Sequence, residues 1–138
     1  MTIRLNPYLS FRDTAREAMD FYQSVFGGEL TRSTFADLGM SDDPAEKDKI
    51  MHSMLEAPNG LTLMAADTPA AMDFTPGTHF AVSLSGEDDA ALRGYWDELS
   101  EGATIQQPLG PAPWGDHFGS LTDRFGISWM VDIVVPQG

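Results

Sequence analysis

The stretch Ala18-Met19-Asp20-Phe21-Tyr22-Gln23-Ser24-Val25-Phe26-Gly27-Gly28 carries the pattern from which the fold of this 138-residue chain is read. Ala18, Phe21, Tyr22 and Val25 recur at helical spacing, so they form one apolar stripe directed at a sheet. Thr14 and Glu17 stand three apart just ahead of it, the spacing of a capping box. Gly27-Gly28 closes the helix, because glycine takes a left-handed closing conformation at little cost. The same signal returns later. Tyr95-Trp96 lies as far beyond Phe21-Tyr22 as Gly102 lies beyond Gly28. A second helix is therefore expected over Asp88 to Glu101, with Leu92, Tyr95, Trp96 and Leu99 as its stripe.

Strand patterns surround each helix in the same order. Alternation over Ile3–Phe11 predicts a first strand, with Pro7 marking an edge or a strand end. After the first helix come Glu29–Asp37, Ile50–Glu56 and Leu61–Ala66, the last two joined by Ala57-Pro58-Asn59-Gly60, a hairpin signal. The acidic segment Gly39–Asp48 reads as a mobile loop. Thr78–Leu84 alternates ahead of the second helix, and Thr104–Leu109, His117–Thr122 and Ile127–Val134 follow it. Gly60 and Gly126 each precede a strand whose fourth residue is methionine, Met64 and Met130. The echoes favour an α+β chain in which βαβββ occurs twice, with an α+β sandwich lacking internal symmetry as the alternative. One domain over residues 1–138 is expected, with modules at about 3–67 and 77–135.

Composition narrows the chemistry. The formal charge is −13 with only eight Lys and Arg, which opposes a nucleic-acid partner, since phosphate affinity comes from basic residues. No cysteine is present, so disulfides, thiolate zinc sites and a cysteine nucleophile are excluded. The first residues lack a signal-peptide pattern and no apolar run reaches membrane-spanning length, so a cytoplasmic protein without membrane attachment is expected. Neither a phosphate loop nor a dinucleotide fingerprint occurs.

Asn6-Pro7-Tyr8-Leu9-Ser10-Phe11 with Ala18–Gly28, and Trp114-Gly115-Asp116-His117-Phe118-Gly119 with Thr122-Asp123-Arg124-Phe125-Gly126-Ile127-Ser128-Trp129-Met130, resemble the vicinal-oxygen-chelate superfamily. Within it the chain is similar to the PhnB-like branch of the glyoxalase/bleomycin-resistance/dioxygenase proteins. The resemblance implies two βαβββ modules, a curved mixed sheet around a cavity, and a homodimer. Metal-using relatives take four ligands from His, Glu and Gln on the first and last strands of the modules. Carried over, these positions are Asn6, Met64, His79 and Met130. Strand parity also turns Met64 inward with Thr62, and Met130 inward with Ser128 and Asp132, while Trp129, Val131 and Ile133 face the helices.

Thioethers suit soft ions, and an amide with one imidazole holds a hard divalent ion poorly. No metal and no cofactor are therefore expected, unless a shifted register recruits Asp132 or Glu56 beside His79. His79 is the candidate catalytic base or hydrogen-bonding group, with a structural role as its alternative. Asn6, Tyr8, Met64, His79, Trp114, His117, Met130 and Asp132 are the candidate ligand-binding residues. Trp114, His117 and Phe118 would form an aromatic lid, or Trp114 would pack against a partner subunit. His52, flanked by Met51 and Met54, reads as structural. The leading function is binding of a small, partly apolar ligand. A lyase or isomerase resembling glyoxalases, and a drug-sequestering resistance protein, are the alternatives.

Overall fold

A computed structural model describes residues 3–136. The chain divides into two compact units, with the boundary between Thr75 and Pro76. In the first, the order is β1 (Tyr8–Phe11), α1 (Ala15–Phe26), β2 (Glu29–Thr34), β3 (Ile50–Glu56) and β4 (Thr62–Asp67). In the second it is β5 (Val82–Gly86), α2 (Asp89–Leu99), β6 (Thr104–Pro111), β7 (His117–Thr122) and β8 (Ser128–Ile133). Each unit is thus βαβββ, and the expected repetition is met.

The sheets share one topology. Their orders are β1-β4-β3-β2 and β5-β8-β7-β6, each with a parallel first pair and antiparallel pairs beyond it. A parallel pair needs a crossover, and the intervening helix belongs to that connection. α1 buries Ala18, Met19, Tyr22, Val25 and Phe26, while its sheet buries Leu9, Phe11, Leu55, Leu63 and Ala65. α2 buries Leu92, Trp96 and Leu99, and its sheet buries Leu84, Leu121, Trp129, Val131 and Ile133. Burying each large side chain contributes about 1.5–3 kcal/mol, so these faces hold the units together. Phe21 and Tyr95 stay only half-buried at the margins of their stripes.

Four local expectations are corrected. β1 begins at Tyr8 rather than Ile3, and Ile3 is 96% exposed. Its ladder opens where the Pro7 carbonyl accepts from Met64 N–H, and Pro7 itself has no N–H to donate. β5 begins at Val82 rather than Thr78 because Val82 pairs with Trp129, the second residue of β8. Residues 78–80 would run past the end of that neighbour, where no ladder partner is available. The capping box does not form either. Thr14 makes no side-chain cap; Asp67 Oδ1, at the end of β4, accepts from Ala15 N–H at 2.9 Å instead. Nor is the acidic segment loose, since Phe35 N–H donates to Lys49 C=O (3.1 Å) and Ala36 N–H to Lys47 C=O (2.9 Å). These bonds prolong the β2–β3 hairpin into turns over 35–39 and 44–48. Among the described residues no helix is long and apolar enough to cross a membrane.

Candidate functional site

Each sheet has one face covered by its own helix and one face turned away from it. In the first unit, the face away from α1 carries a row across four strands: Tyr8, Met64, Met54 and Thr31 are successive register partners. Opposed residues on neighbouring strands have Cβ atoms about 4.5–5.5 Å apart, so these side chains are neighbours. Met64 therefore lies where parity put it, with buried Leu63 and Ala65 on the opposite face. His52 stands two residues from Met54 on this same face, with its ring centroid 6.4 Å from that of Tyr8. The sequence left the facing of His52 ambiguous because Met51 and Met54 flank it at both parities. A register shift between Ser33 and Thr34 resolves this by taking Met51 out of the regular alternation. Asn6 is half-buried in the segment ahead of β1.

In the second unit the corresponding face forms a hollow of about 580 Å³. Met130 lies in its floor, opposite Ser120 on β7 and Ser83 on β5. Thr122 and Ser128 form the next row, and Gln106 donates from Nε2 to Thr122 Oγ1 at 2.9 Å. Phe118 and the segment Thr78–Ala81 complete the wall. His79 belongs to that segment; it is exposed, its ring edge-on to Phe80 at 4.9 Å. Gln106, Ser120 and Thr122 were missed in the sequence. Their strands pair irregularly, with shifts around Gln107, so local alternation on β6 carries little information.

Asp132 occupies this face two residues beyond Met130, opposite Phe118. Burial pushes its carboxyl above the usual carboxylate range; the negative charge of Asp116 and a hydrogen bond with Asp116 push the same way, while a bond from the Trp114 indole opposes them. Trp114 is 60% exposed and meets Phe118 edge-on at 5.4 Å. His117 is different. It pairs with buried Ile133, so register turns it to the face opposite Phe118, and the three rings expected together are not brought to one face.

Two further carboxylates are fully committed to structure. Asp67 accepts from Ala15 N–H and from Ile50 N–H at 3.0 Å. Asp123 accepts from Phe125 N–H (2.8 Å), Ile127 N–H (3.0 Å) and Trp129 Nε1 (2.8 Å), which ties the β7–β8 turn to the core.

The chain matches the Glyoxalase/Bleomycin resistance protein/Dioxygenase superfamily over residues 4–131, nearly its whole length. It belongs to that superfamily. Protein PA1353 from Pseudomonas aeruginosa is similar to it, with 37% identity, a TM-score of 0.80, and coverage of 96% of this chain and 98% of that one. Protein YjdN of Escherichia coli is 26% identical over 96% of this chain and 97% of its own length. A PhnB protein from Bacillus cereus, described as a putative 3-demethylubiquinone-9 3-methyltransferase, shares the fold at a TM-score of 0.72 and 24% identity, covering 96% of this chain and all of that one.

Against the ligand positions carried over from metal-using members of the superfamily, this chain presents an amide, two thioethers and one imidazole. That set does not fit a hard divalent ion, which takes oxygen and imidazole donors. The shifted-register alternative fares no better. Among the described residues no three His, Cys, Asp or Glu side chains converge closely enough to hold an ion.

Proposed function

We propose that this superfamily member is a PhnB-like binding protein that takes a small, partly apolar ligand without a metal and works as a homodimer. The observation that carries the reading is the hollow of the second unit. Hydroxyls and an amide (Ser120, Thr122, Ser128, Gln106) stand beside Phe118 and Met130, with His79 as the ionisable side chain in the lining. Such a surface orients a neutral ligand by hydrogen bonds and covers its apolar part with adaptable sulfur and aromatic edges. Among the described residues no Lys or Arg lines it, so an anionic ligand would enter without a compensating charge. The homodimer reading is in keeping with exposed apolar side chains at Ile3, Leu5 and Phe80, whose burial against a partner would be favourable.

Elemental analysis of protein purified without chelators tests the metal-free reading. Stoichiometric nickel, manganese, iron or zinc that disappears in His79→Ala would overturn it. Titration of tryptophan emission against a panel of neutral aromatic compounds tests binding, with saturable quenching as the expected result. A sequestering role has a specific observation of its own: exposed Trp114, edge-on to Phe118, offers a ring to a flat drug. Trp114→Ala would then weaken binding by about tenfold or more, since base- or drug-sized stacking contributes about 1–3 kcal/mol.

A further inference from the structure

One pair of polar side chains in the hollow is left with matched hydrogen-bonding capacity to spare. Register passes from Ile105↔Leu121 directly to Gln107↔Ser120, so Gln106 is an extra residue on β6, and a bulge of this kind re-aims a side chain. Here the Gln106 amide reaches Thr122, whose Oγ1 accepts from Gln106 Nε2 at 2.9 Å. A threonine hydroxyl has one proton to give, and among the described residues no group accepts it. An oxygen that already accepts a hydrogen bond is also the better donor. The Gln106 carbonyl oxygen is likewise uncommitted among the described residues. A donor and an acceptor therefore stand side by side at this end of the hollow.

Charge and shape narrow the ligand further. Although the chain carries −13 overall, among the described residues no Asp, Glu, Lys or Arg lines the hollow. An ion of either sign would shed its water there without a counter-charge. Met130 occupies the floor between Ser83 and Ser120, and Phe118 follows two residues away along β7. A pure hydrocarbon would cover Met130 and Phe118 but leave Thr122 and Gln106 dehydrated and unpaired. A wholly polar ligand would satisfy Thr122 and Gln106 and gain nothing from the thioether and the ring. The fitting ligand has one polar edge and one apolar body.

We propose that the ligand class is a neutral lactam, a C=O beside an N–H in a flat, otherwise apolar ring. Its carbonyl oxygen accepts from the Thr122 hydroxyl, and its N–H donates to the Gln106 carbonyl oxygen. The ring then lies along the sheet over Met130 toward Phe118. Thr122 and Gln106 are the residues that set specificity, and Met130 and Phe118 supply contact that any apolar body could use. This assignment rests on the binding reading above and names the ligand class for the same hollow.

The test is titration with α-pyridone, N-methyl-α-pyridone and benzene, followed on the backbone amide resonances of Thr122, Ser128 and Met130. Wild type should bind α-pyridone about tenfold tighter than benzene, the factor that one to two net hydrogen bonds supply. Thr122→Val should weaken both pyridones relative to benzene. Gln106→Leu should weaken α-pyridone and not N-methyl-α-pyridone, which has no N–H to give. Gln106 is exposed, so its variant serves if Thr122→Val does not fold. Equal binding of α-pyridone and benzene, or a preference that both variants keep, would overturn the lactam assignment and leave the binding reading standing. Shifts with none of the three compounds would overturn both.

Discussion

Individual carboxylates in this chain do unlike work, and their hydrogen-bond partners tell them apart. Asp123 satisfies two backbone N–H groups and the Trp129 indole, all near the core. Removing it strands those donors, each costing about 1–3 kcal/mol when buried. Asp123→Ala should therefore lower unfolding free energy by roughly 3 kcal/mol or more in urea melts. Asp67→Ala should be similar, because Ala15 and Ile50 N–H lose their acceptor and α1 loses the side-chain cap that Thr14 does not provide. Asp132 behaves oppositely. Its folded carboxyl resists ionisation, so Asp132→Asn should gain stability relative to wild type as pH rises above 3.8. Urea melts at acid and neutral pH check this: a gap that stays constant would contradict a carboxyl that resists ionisation in the folded chain.

Elements are placed by small residues as much as by large ones. Gly119 on β7 lies under the Trp96 ring of α2. A methyl group there would come 2.8 Å from Trp96 Cη2 and 2.9 Å from the Leu109 Cα. Gly119→Ala should cost about 1–3 kcal/mol by overpacking, measured by thermal or urea unfolding. Adding Trp96→Phe should recover part of that loss, and strict additivity of the two changes would show that the ring is not the obstacle. Both helices were legible from their stripes, and α2 keeps Asp88 as its cap, bonded to Ala91 N–H. Strand ends were less legible. β1 and β5 are both edge strands: β5 begins near the start of β8, its single neighbour, and β1 begins just after Pro7, which has no N–H to give β4.

Across the whole molecule, the excess of acidic side chains sets the response to salt. With a net charge of −13, self-repulsion opposes folding, and salt screens it. The melting temperature should rise between about 10 mM and about 300 mM sodium chloride, over which the screening length falls from about 30 Å to below about 8 Å. Sedimentation should report a dimer that Phe80→Asp, a change at a side chain 76% exposed, shifts toward monomer. A monomeric wild type would remove the homodimer from the proposed function.

Alternation decided which side of β4 and β8 faces the helices, so Met64 and Met130 were placed correctly without coordinates. The two helices, their closing glycines and the repeated βαβββ order were equally determined, since each is a property of neighbours in sequence. Tertiary structure alone decided that Asp67 caps α1, that His52 shares a face with Tyr8, and that His117 and Phe118 lie on opposite faces of their sheet. Each of these depends on strand register or on contact between distant segments, and no local spacing carries that information.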